Sequence, residues 1–451
     1  MSKLASHALS RRQLLKWIGA GSAGLALAAC APVAPPADQA SASGEPAAEQ
    51  SELKVLVCCY APPDLEIRNR VNSSFEAANP GVKLNQELLP AGQNYFEKLQ
   101  TLIAADTPPD VFDMWEGYVQ PYAANGAIMN LDPFMESDPR LKKDDLLPAA
   151  IDGASWQNNL YALLIGFIPG PVSLYYNVDH FETAGLEAPS SDWTWDDVRT
   201  AAQALTAGTK SGAPTDQYGL AFDLWFVPWL HWIWSNGGDV LNQDSTQCTL
   251  TDAASVEAIQ YWADLVNADQ VALSPSLLAS MQGGLSAFQS NMVSMYLGNA
   301  WDVGSLSGAQ DLQWKAVLSQ TANDGTRVWY THFQCWAISS QAKAPDAAWQ
   351  YIRDFVFEYE PEVQDIAPTI PGIKELLPSF DNETTRNLGY QPLIDLVTQP
   401  GVMRIPGGGA KWDKISGLIQ AELDLVFAGE KSAADAAATA CSQVDEELAR
   451  I

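Results

Sequence analysis

The chain has 451 residues, of which 47% are apolar and 18% charged, a composition that supports two folded domains with buried cores. Its 54 acidic and 25 basic side chains give a formal net charge of −29. A charge of that sign repels phosphate groups, and the sequence has no local basic run, so we expect no nucleic-acid partner.

The first 29 residues have the pattern of an export signal. Arg11, Arg12 and Lys16 precede an apolar stretch from Trp17 to Ala29. That stretch is too short and too rich in glycine and alanine to form a stable membrane span. The two arginines resemble those of a twin-arginine signal, and an ordinary basic leader is the alternative.

A membrane anchor is predicted directly after this signal. Leu27-Ala28-Ala29-Cys30 resembles the lipobox of bacterial lipoproteins, in which the cysteine is lipidated and becomes the new N-terminus. Residues 31–52 are rich in Ala, Pro, Ser, Gly and Glu and contain no Lys or Arg, so they cannot bury enough apolar area to fold. We therefore expect residues 30–52 to be a lipidated, disordered linker. It would hold an exported protein at the outer face of the cytoplasmic membrane, in a periplasm or at the cell surface.

The remaining cysteines leave the disulfide pattern open. Their spacing matches no metal-binding motif, and adjacent cysteines in a strand rarely bond to each other. These residues are Cys58, Cys59, Cys248, Cys335 and Cys441. We expect no metal and no cofactor.

Strand and helix patterns alternate from residue 53 onward. The sequence predicts strands over residues 53–59, 82–88 and 110–114, separated by helices over residues 65–78 and 94–105. Such alternation is typical of a mainly parallel sheet covered by helices.

A run rich in tryptophan begins at Trp225, near the middle of the chain. Pro228 suits a first helical turn, and Asn236-Gly237-Gly238 is a strong helix stop. In such a helix Trp225, Trp229 and Trp232 share one face and would form an aromatic wall. The alternative is that the indoles belong to the core, although each would then need a partner for its N–H.

Several short segments follow one another in an order typical of one protein family. They are Phe75-Glu76-Ala77-Ala78-Asn79-Pro80-Gly81-Val82, Pro109-Asp110-Val111, Leu174-Tyr175-Tyr176-Asn177, Trp193-Thr194-Trp195-Asp196-Asp197-Val198, Trp234-Ser235-Asn236-Gly237-Gly238, Asn299-Ala300-Trp301-Asp302 and Trp336-Ala337-Ile338-Ser339-Ser340. Their order and spacing resemble the extracellular solute-binding proteins that serve carbohydrate ABC transporters, the class that contains maltose-binding protein. The resemblance runs from about residue 52 to the last helix.

This resemblance implies an α/β, two-lobed periplasmic-binding-protein-like fold of class II, with the ligand cleft between lobes that are joined by hinge crossings. We expect the crossings near residues 170–174, 318–331 and 368–374. The predicted segments are the export signal 1–29, the anchor and linker 30–52, the first lobe 53–172 with its return 321–370, and the second lobe 173–320 with its helical segment 371–451.

The candidate site combines aromatic and polar residues, which a neutral sugar requires. Rings cover the apolar face of a sugar, and carboxylates, amides and indole N–H groups bind its hydroxyls. Trp115 and Glu116 follow a strand at its C-terminal end, where α/β sheets place ligands. By the resemblance, Trp301 matches a family tryptophan that stacks on sugar. The candidate ligand-binding residues are Trp115, Glu116, Tyr118, Trp225, Trp229, Asn299, Trp301, Asp302, His332 and Trp336.

Several of these residues have a second interpretation. Glu116 and Asp302 could be surface residues or helix caps, Trp336 could belong to the core, and His332 could be a structural hydrogen-bond partner. The sequence alone does not decide between these roles.

The resemblance implies a non-catalytic receptor that captures a mono- or oligosaccharide and delivers it to the permease subunits of an ABC-type importer. One alternative is a secreted carbohydrate-active enzyme with a pair of carboxylates in the cleft, and another is an adhesion or structural lipoprotein. The sequence has no recognisable nucleophile motif, HExxH, phosphate loop or EF-hand spacing. We expect a monomer, and the identity of the sugar stays open.

Overall fold

The structure, a computed structural model, describes residues 51–58, 62–89, 95–208, 215–398, 403–407 and 409–450. The predicted export signal, Cys30 and nearly all of the predicted linker lie outside the described residues. Within these ranges no helix is both long and apolar enough to cross a membrane.

The first lobe is built on a sheet in which strands of the described chain follow the order β13-β12-β3-β1-β2, with β6 paired to β12. Its strands are β1 (Ser51–Cys58), β2 (Val82–Leu89), β3 (Val111–Trp115), β6 (Ala162–Gly170), β12 (Trp329–Ile338) and β13 (Met403–Arg404). A small hairpin pairs β4 (Ser155–Trp156) with β5 (Asn159–Leu160). β1 runs parallel to β2 and β3, whereas β12 is antiparallel to β3 and β6.

The helices around this sheet include those that the sequence predicts between the first strands. They are α1 (Pro62–Ala78), α2 (Tyr95–Ala104), α3 (Val119–Ala124), α4 (Asp132–Ser137), α5 (Pro148–Gly153), α13 (Pro345–Val363), α14 (Leu377–Phe380), α15 (Glu383–Asn387) and α16 (Leu393–Thr398). β1 is buried along its apolar residues because helices cover both faces of a parallel sheet.

The second lobe contains a sheet in which β11-β7-β10-β9-β8 are neighbours. Its strands are β7 (Ser173–Asn177), β8 (Ala207–Gly208), β9 (Thr215–Phe222), β10 (Val293–Gly298) and β11 (Trp314–Leu318). Its helices are α6 (Val178–Ala184), α7 (Trp195–Leu205), α8 (Phe226–Ser235), α9 (Ala253–Asn267), α10 (Pro275–Ser280), α11 (Gly284–Gln289), α12 (Val303–Ser307), α17 (Trp412–Phe427) and α18 (Ala433–Leu448). Short 3₁₀ turns span Lys143–Asp145, Ala300–Asp302, Lys374–Leu376 and Gly409–Lys411.

Local sequence accounts for several of these boundaries. Thr194 caps α7, accepting from the Asp197 N–H while the Asp197 carboxylate accepts from the Thr194 N–H. Asn177 caps α6, and Gly185 ends it in the left-handed conformation that glycine adopts without strain.

The chain passes from the first sheet to the second between β6 and β7, and returns between β11 and β12. The two passages are joined where the Ser319 N–H donates to the Val172 carbonyl, at 2.8 Å. Together with the alternating strands and helices, they give the two-lobed α/β fold that the sequence predicts.

The last predicted crossing, at residues 368–374, lies in the first lobe instead. The Ile370 and Phe167 backbones exchange two hydrogen bonds, and the Leu147 N–H donates to the Gly372 carbonyl at 2.9 Å. Pro368 and Pro371 lie outside any helix, and Ile370 between them pairs with Phe167 of β6. The predicted second-lobe segment 371–451 therefore begins in the first lobe, and its helices that reach the second core are α17 and α18.

A disulfide links Cys248 to Cys441, which fastens α18 to the loop before α9. Cys58 is also disulfide-bonded, and Cys335 is free and buried. The sequence left this pattern open because residues separated by 193 positions cannot be paired from spacing alone.

Candidate functional site

Aromatic side chains form a chain of contacts from one lobe to the other, which we call the aromatic arc. Its members are Trp301, Trp225 and Phe226 of the second lobe, Tyr330 and His332 of β12, and Trp115 of the first lobe. Successive ring centroids along this order are 6.1, 5.0, 5.4, 6.3 and 5.8 Å apart. All members except Tyr330 are half-buried.

The positions of these rings follow from the topology. Trp115 ends β3, and Tyr330 and His332 lie on β12, the neighbouring strand. Trp225 and Phe226 start α8 just after β9, and Trp301 lies in the turn after β10. β9 and β10 are parallel, so their C-terminal ends meet at one edge of the second sheet.

Glu116 connects β3 to β12 at the centre of the arc. Its Oε1 accepts from the Tyr330 hydroxyl and from His332 Nδ1 at 2.9 Å, and its Oε2 accepts from the Phe333 N–H at 3.0 Å. Burial alone would raise the pKa of Glu116, but the His332 charge and these hydrogen bonds outweigh it and lower the pKa below the ordinary value. Glu116 is therefore a buried carboxylate and not a surface residue.

Tyr118 and Trp115 share the ring of Phe96. Tyr118 stacks on it with centroids 3.5 Å apart, and Trp115 meets it edge-on at 4.9 Å. The Trp115 Nε1–H and the Tyr118 hydroxyl are enclosed, and neither has a hydrogen-bond partner in the part of the chain that the structure describes. Two polar groups beside the arc are thus left for a ligand or water to satisfy.

Asn299, Trp301 and Asp302 lie together in the turn after β10. Asp302 is 5% exposed, and its Oδ2 accepts from the Asn299 N–H at 2.8 Å. Burial, followed by the nearby charge of Asp223, raises the pKa of Asp302 to about 7. The Asn299 carbonyl accepts from the Tyr175 hydroxyl at 2.7 Å, which fastens the turn to β7.

The structure places two predicted ligand-binding residues in the cores. Trp229 is 1% exposed and donates its indole N–H to Gln420 of α17 at 3.0 Å. Trp336 is fully buried beside the Arg68 guanidinium, 5.7 Å from its ring. The predicted face of α8 is covered by two helices: Trp232 stacks on Trp262 of α9 at 4.4 Å, and Trp229 contacts α17 through Gln420. Only Trp225, at the start of the helix, stays half-buried.

Phe226, Tyr330, Asp223 and Tyr296 also lie in or beside the arc and are not among the predicted ligand-binding residues. Alternation along β12 was the available signal for Tyr330, because it shares a face with His332. Asp223 follows the end of β9, the same position relative to its strand that drew attention to Glu116 after β3. Tyr296 lies inside an apolar strand and carries no comparable signal.

Arg404, on the short strand that pairs with β12 next to Tyr330, has a partner for its charge. Arg404 donates to Asp239 Oδ2 at 2.8 Å and lies over the Trp234 ring, so its charge is already paired. Within the described ranges no group of three or more His, Cys, Asp or Glu side chains could hold a metal ion. Half-buried rings beside satisfied carboxylates and unpaired donors suit a neutral ligand that has both an apolar face and hydroxyls.

The amino-acid sequence is similar to that of one known family of proteins. The family of bacterial extracellular solute-binding proteins matches residues 62–359. A binding protein of Brucella abortus is 27% identical over 224 residues, which are 49% of this chain and 51% of that protein. The chain thus matches about half the length of these curated relatives.

Solved structures cover more of the chain at lower identity. An ABC substrate-binding protein of Listeria monocytogenes in complex with cycloalternan has a TM-score of 0.77 at 24% identity, over 88% of this chain and 99% of that one. A Thermotoga lettingae solute-binding protein bound to α-D-tagatose has a TM-score of 0.73 at 18% identity, over 88% and 100%. A maltose-bound protein of T. maritima has a TM-score of 0.73 at 16% identity, also over 88% and 100%. At these identities the likeness establishes the fold.

Proposed function

Because the chain belongs to the family of bacterial extracellular solute-binding proteins, we propose that it captures a neutral carbohydrate between its lobes and delivers it to an ABC-type importer. The aromatic arc carries this proposal. Rings from both lobes form one contact chain, so a sugar held against them would touch both lobes at once. Such a ligand binds the closed arrangement better than the open one and shifts the lobes toward closure.

The polar groups around the arc support a hydroxyl-bearing ligand. The enclosed Trp115 Nε1–H and Tyr118 hydroxyl need hydrogen-bond partners, and a sugar hydroxyl can both donate and accept. The paired charge of Arg404 argues against a phosphorylated or uronic ligand, because an anion would have to displace Asp239. The ligands bound in the structural relatives, cycloalternan, α-D-tagatose and maltose, are all neutral sugars.

We propose a binding role without catalysis. A glycosidase needs one carboxyl group free to protonate the leaving oxygen and a second one free to act as base or nucleophile. Both oxygens of Glu116 already accept hydrogen bonds from the protein. The alternative of a carbohydrate-active enzyme is one outcome of the experiment below.

The cellular setting is proposed from the sequence and the family. An export signal of the twin-arginine type and a lipid on Cys30 would place the protein at the outer face of the cytoplasmic membrane, as a periplasmic or cell-surface lipoprotein. There, as a monomer, it would dock on two permease subunits, one under each lobe. The acidic surface would favour basic permease loops, so this docking should weaken as salt is raised.

The proposal is tested by tryptophan fluorescence and melting of the full-length protein with maltose, cycloalternan, tagatose and a broader panel of neutral sugars. We expect one of these to give a saturable spectral shift, to raise the melting temperature and to be recovered intact. Trp225→Ala and Trp301→Ala should each weaken its binding by roughly tenfold, through loss of a stacking ring. Trp314 is a half-buried tryptophan of β11 that lies outside the arc. Trp314→Phe should therefore leave binding of the sugar unchanged.

Each other outcome has a definite meaning. A sugar recovered in cleaved form would make the protein an enzyme. Equal loss of affinity in the Trp314 variant would mean that the arc does not form the site. Failure of every sugar in the panel to bind would contradict the carbohydrate class and leave the family membership standing.

A further inference from the structure

A buried tyrosine joins the two chain segments that carry Trp225 and Trp301. The Tyr296 hydroxyl lies 3.0 Å from Asp223 Oδ2 and 3.3 Å from Asp302 Oδ2. Asp223 precedes Trp225 by two residues, and Asp302 directly follows Trp301. The phenol oxygen is therefore a bridge between the supports of the two second-lobe indoles of the arc.

Each carboxyl group is also fixed to nearby backbone. Asp223 Oδ1 accepts from the Gly284 N–H, and Asp302 Oδ2 accepts from the Asn299 N–H, both at 2.8 Å. The bridge through Tyr296 thus adds a side-chain link between two segments that the pairing of β9 with β10 already brings together.

The Tyr296 ring occupies a slot bounded by two glycines. A Cβ at Gly298 would lie 2.4 Å from Tyr296 Cε1 and 2.8 Å from Asp302 Oδ2. A Cβ at Gly284 would lie 2.8 Å from Tyr296 Cε2. No larger residue fits at either position while the ring keeps its place, so the backbone leaves room for this ring in particular.

The bridge has one hydroxyl proton for two carboxyl groups. Burial, then the charges of Asp302 and Asp223, hold the pKa of Tyr296 well above its usual value, so the phenol stays protonated and acts as donor. It can donate to only one of the two acids at a time. Two further titratable groups interact with Asp302, the phenols of Tyr175 and Tyr390. Neither these phenols nor Tyr296 and Asp223 is a cation.

We propose that Tyr296, Asp223 and Asp302 are positioning residues that set the placement of Trp301 against Trp225 through a shared proton. With Asp302 protonated, its carboxyl group donates its own proton to the Tyr296 oxygen while Tyr296 donates to Asp223, so both contacts are hydrogen bonds and the two segments are held together. When Asp302 ionises, two carboxylates repel each other and compete for one phenolic proton, so the link loosens. Because the pKa of Asp302 is about 7, the change falls near neutral pH.

The consequence for sugar binding rests on the proposed function. We expect the affinity of the protein for its sugar to decrease as pH rises through neutrality. The placement of the two indoles does not depend on any ligand. The bridge can therefore be tested first in the ligand-free protein.

The test is a pH titration of fluorescence between about pH 5 and pH 9 on the full-length protein. Subtracting the spectra of the Trp225→Phe and Trp301→Phe variants isolates the emission of each indole. We expect both emissions to change with a midpoint near neutral pH. Tyr296→Phe should remove most of this change from Trp225 and from Trp301, because the hydroxyl that responds to both carboxyl groups is gone.

Tyr176→Phe is the matched control, since Tyr176 is a buried tyrosine on β7 next to β10. Its titration should match that of the unaltered protein. Asp302→Asn, which cannot ionise, should fix both emissions at their low-pH values. A flat titration of the unaltered protein, or a full response in Tyr296→Phe, would overturn the proposal.

A second arm uses whichever panel sugar binds. Its dissociation constant should rise roughly threefold to tenfold between about pH 6 and pH 8, and Asp302→Asn should abolish that rise. If the emissions of Trp225 and Trp301 respond to pH as expected but no sugar binds, the proposed function fails and the inferred bridge stands. If a sugar binds with no pH dependence while the bridge responds, the claimed effect on affinity is wrong.

Discussion

Two buried carboxyl groups of the first lobe show how surroundings decide the charge of a residue. Glu116 meets three donors, one of them His332, and its pKa is lowered. Glu360 is fully buried with only the neutral donors Thr369 and Gln364, at 2.9 Å each, and burial raises its pKa well above the ordinary value despite these bonds. The two residues therefore affect stability in opposite directions as pH changes.

Replacing Glu360 by Gln should flatten the pH dependence of stability. A raised native pKa means that the contribution of Glu360 is complete below the pKa of the unfolded chain and is lost as pH rises toward the native pKa. Over that range this group alone lowers the free energy of unfolding by about 1.4 kcal/mol per pH unit. Glu360→Gln stays neutral, so its melting temperature should fall less between about pH 5 and pH 9 in calorimetry.

The control for this prediction is Glu362→Gln. Glu362 lies on the same helix, is exposed and pairs with Arg70 at the surface. Replacing Glu362 should leave the change of melting temperature with pH as it is in the unaltered protein, because exposed ion pairs contribute little to stability. A slope in Glu360→Gln as steep as in the unaltered protein would show that Glu360 is ionised in the native state.

At the scale of single elements, the ends of strands and helices carry the site and their interiors carry the core. Trp225 and Phe226 open α8 and remain half-buried, whereas Trp229 and Trp232 in its interior are covered by α17 and α9. The same holds for β10, whose residues are buried and whose end leads into the turn with Trp301. The strand ends at Gly298, where a Cβ would collide with the Tyr296 ring.

Gly298→Ala should destabilise the second lobe by about 1–3 kcal/mol, since the added methyl group collides with the Tyr296 ring and overpacks the core. Gly417→Ala is the matched change on α17, where a Cβ meets nothing within 4 Å. It should stabilise the protein by about 0.5–1 kcal/mol, because alanine is the better helix former. Calorimetric melting of both variants checks the pair, and equal effects of one sign would contradict the packing around Tyr296.

At the scale of the whole molecule, residues far apart in sequence close the second lobe. Its sheet is made from residues 173–318, but α17 and α18 arrive from the end of the chain. The Cys248–Cys441 disulfide and the hydrogen bond from the Cys248 N–H to Asp445 Oδ1, at 2.7 Å, hold the last helix in place. Folding of this lobe therefore depends on contacts that span nearly half of the protein.

Removing this disulfide with the Cys248→Ala, Cys441→Ala double variant should lower the stability substantially. Closing a loop of 193 residues restricts the unfolded chain by about 5 kcal/mol in the chain-entropy estimate. The melting temperature should fall, and α18 should lose protection in hydrogen exchange before the first lobe does. Cys335→Ala, which removes a free buried thiol, serves as the control. An unchanged melting temperature in the double variant would mean that packing alone holds α18.

The sequence by itself determined the first strands and helices and the α/β class, and its resemblance to a known family implied the two-lobed fold. These follow from periodicity and helix stops within short windows, as at Asn236-Gly237-Gly238, and from motifs in a characteristic order. It also placed Trp115, Glu116, Trp225 and Trp301 at the ends of elements. The structure brings Trp115, Trp225 and Trp301 into the aromatic arc, and Glu116 joins β3 to β12 beside it.

Only the tertiary structure decided which tryptophans are covered, where the last passage between lobes lies, and which cysteines pair. Trp229 is core because Gln420, 191 positions later, packs against it. Helical periodicity shows that residues share a face, but whether that face is free depends on a helix whose arrival no local pattern encodes. The Tyr296 bridge has the same origin, because Asp223, Tyr296 and Asp302 meet only when β9 and β10 become neighbours in the sheet.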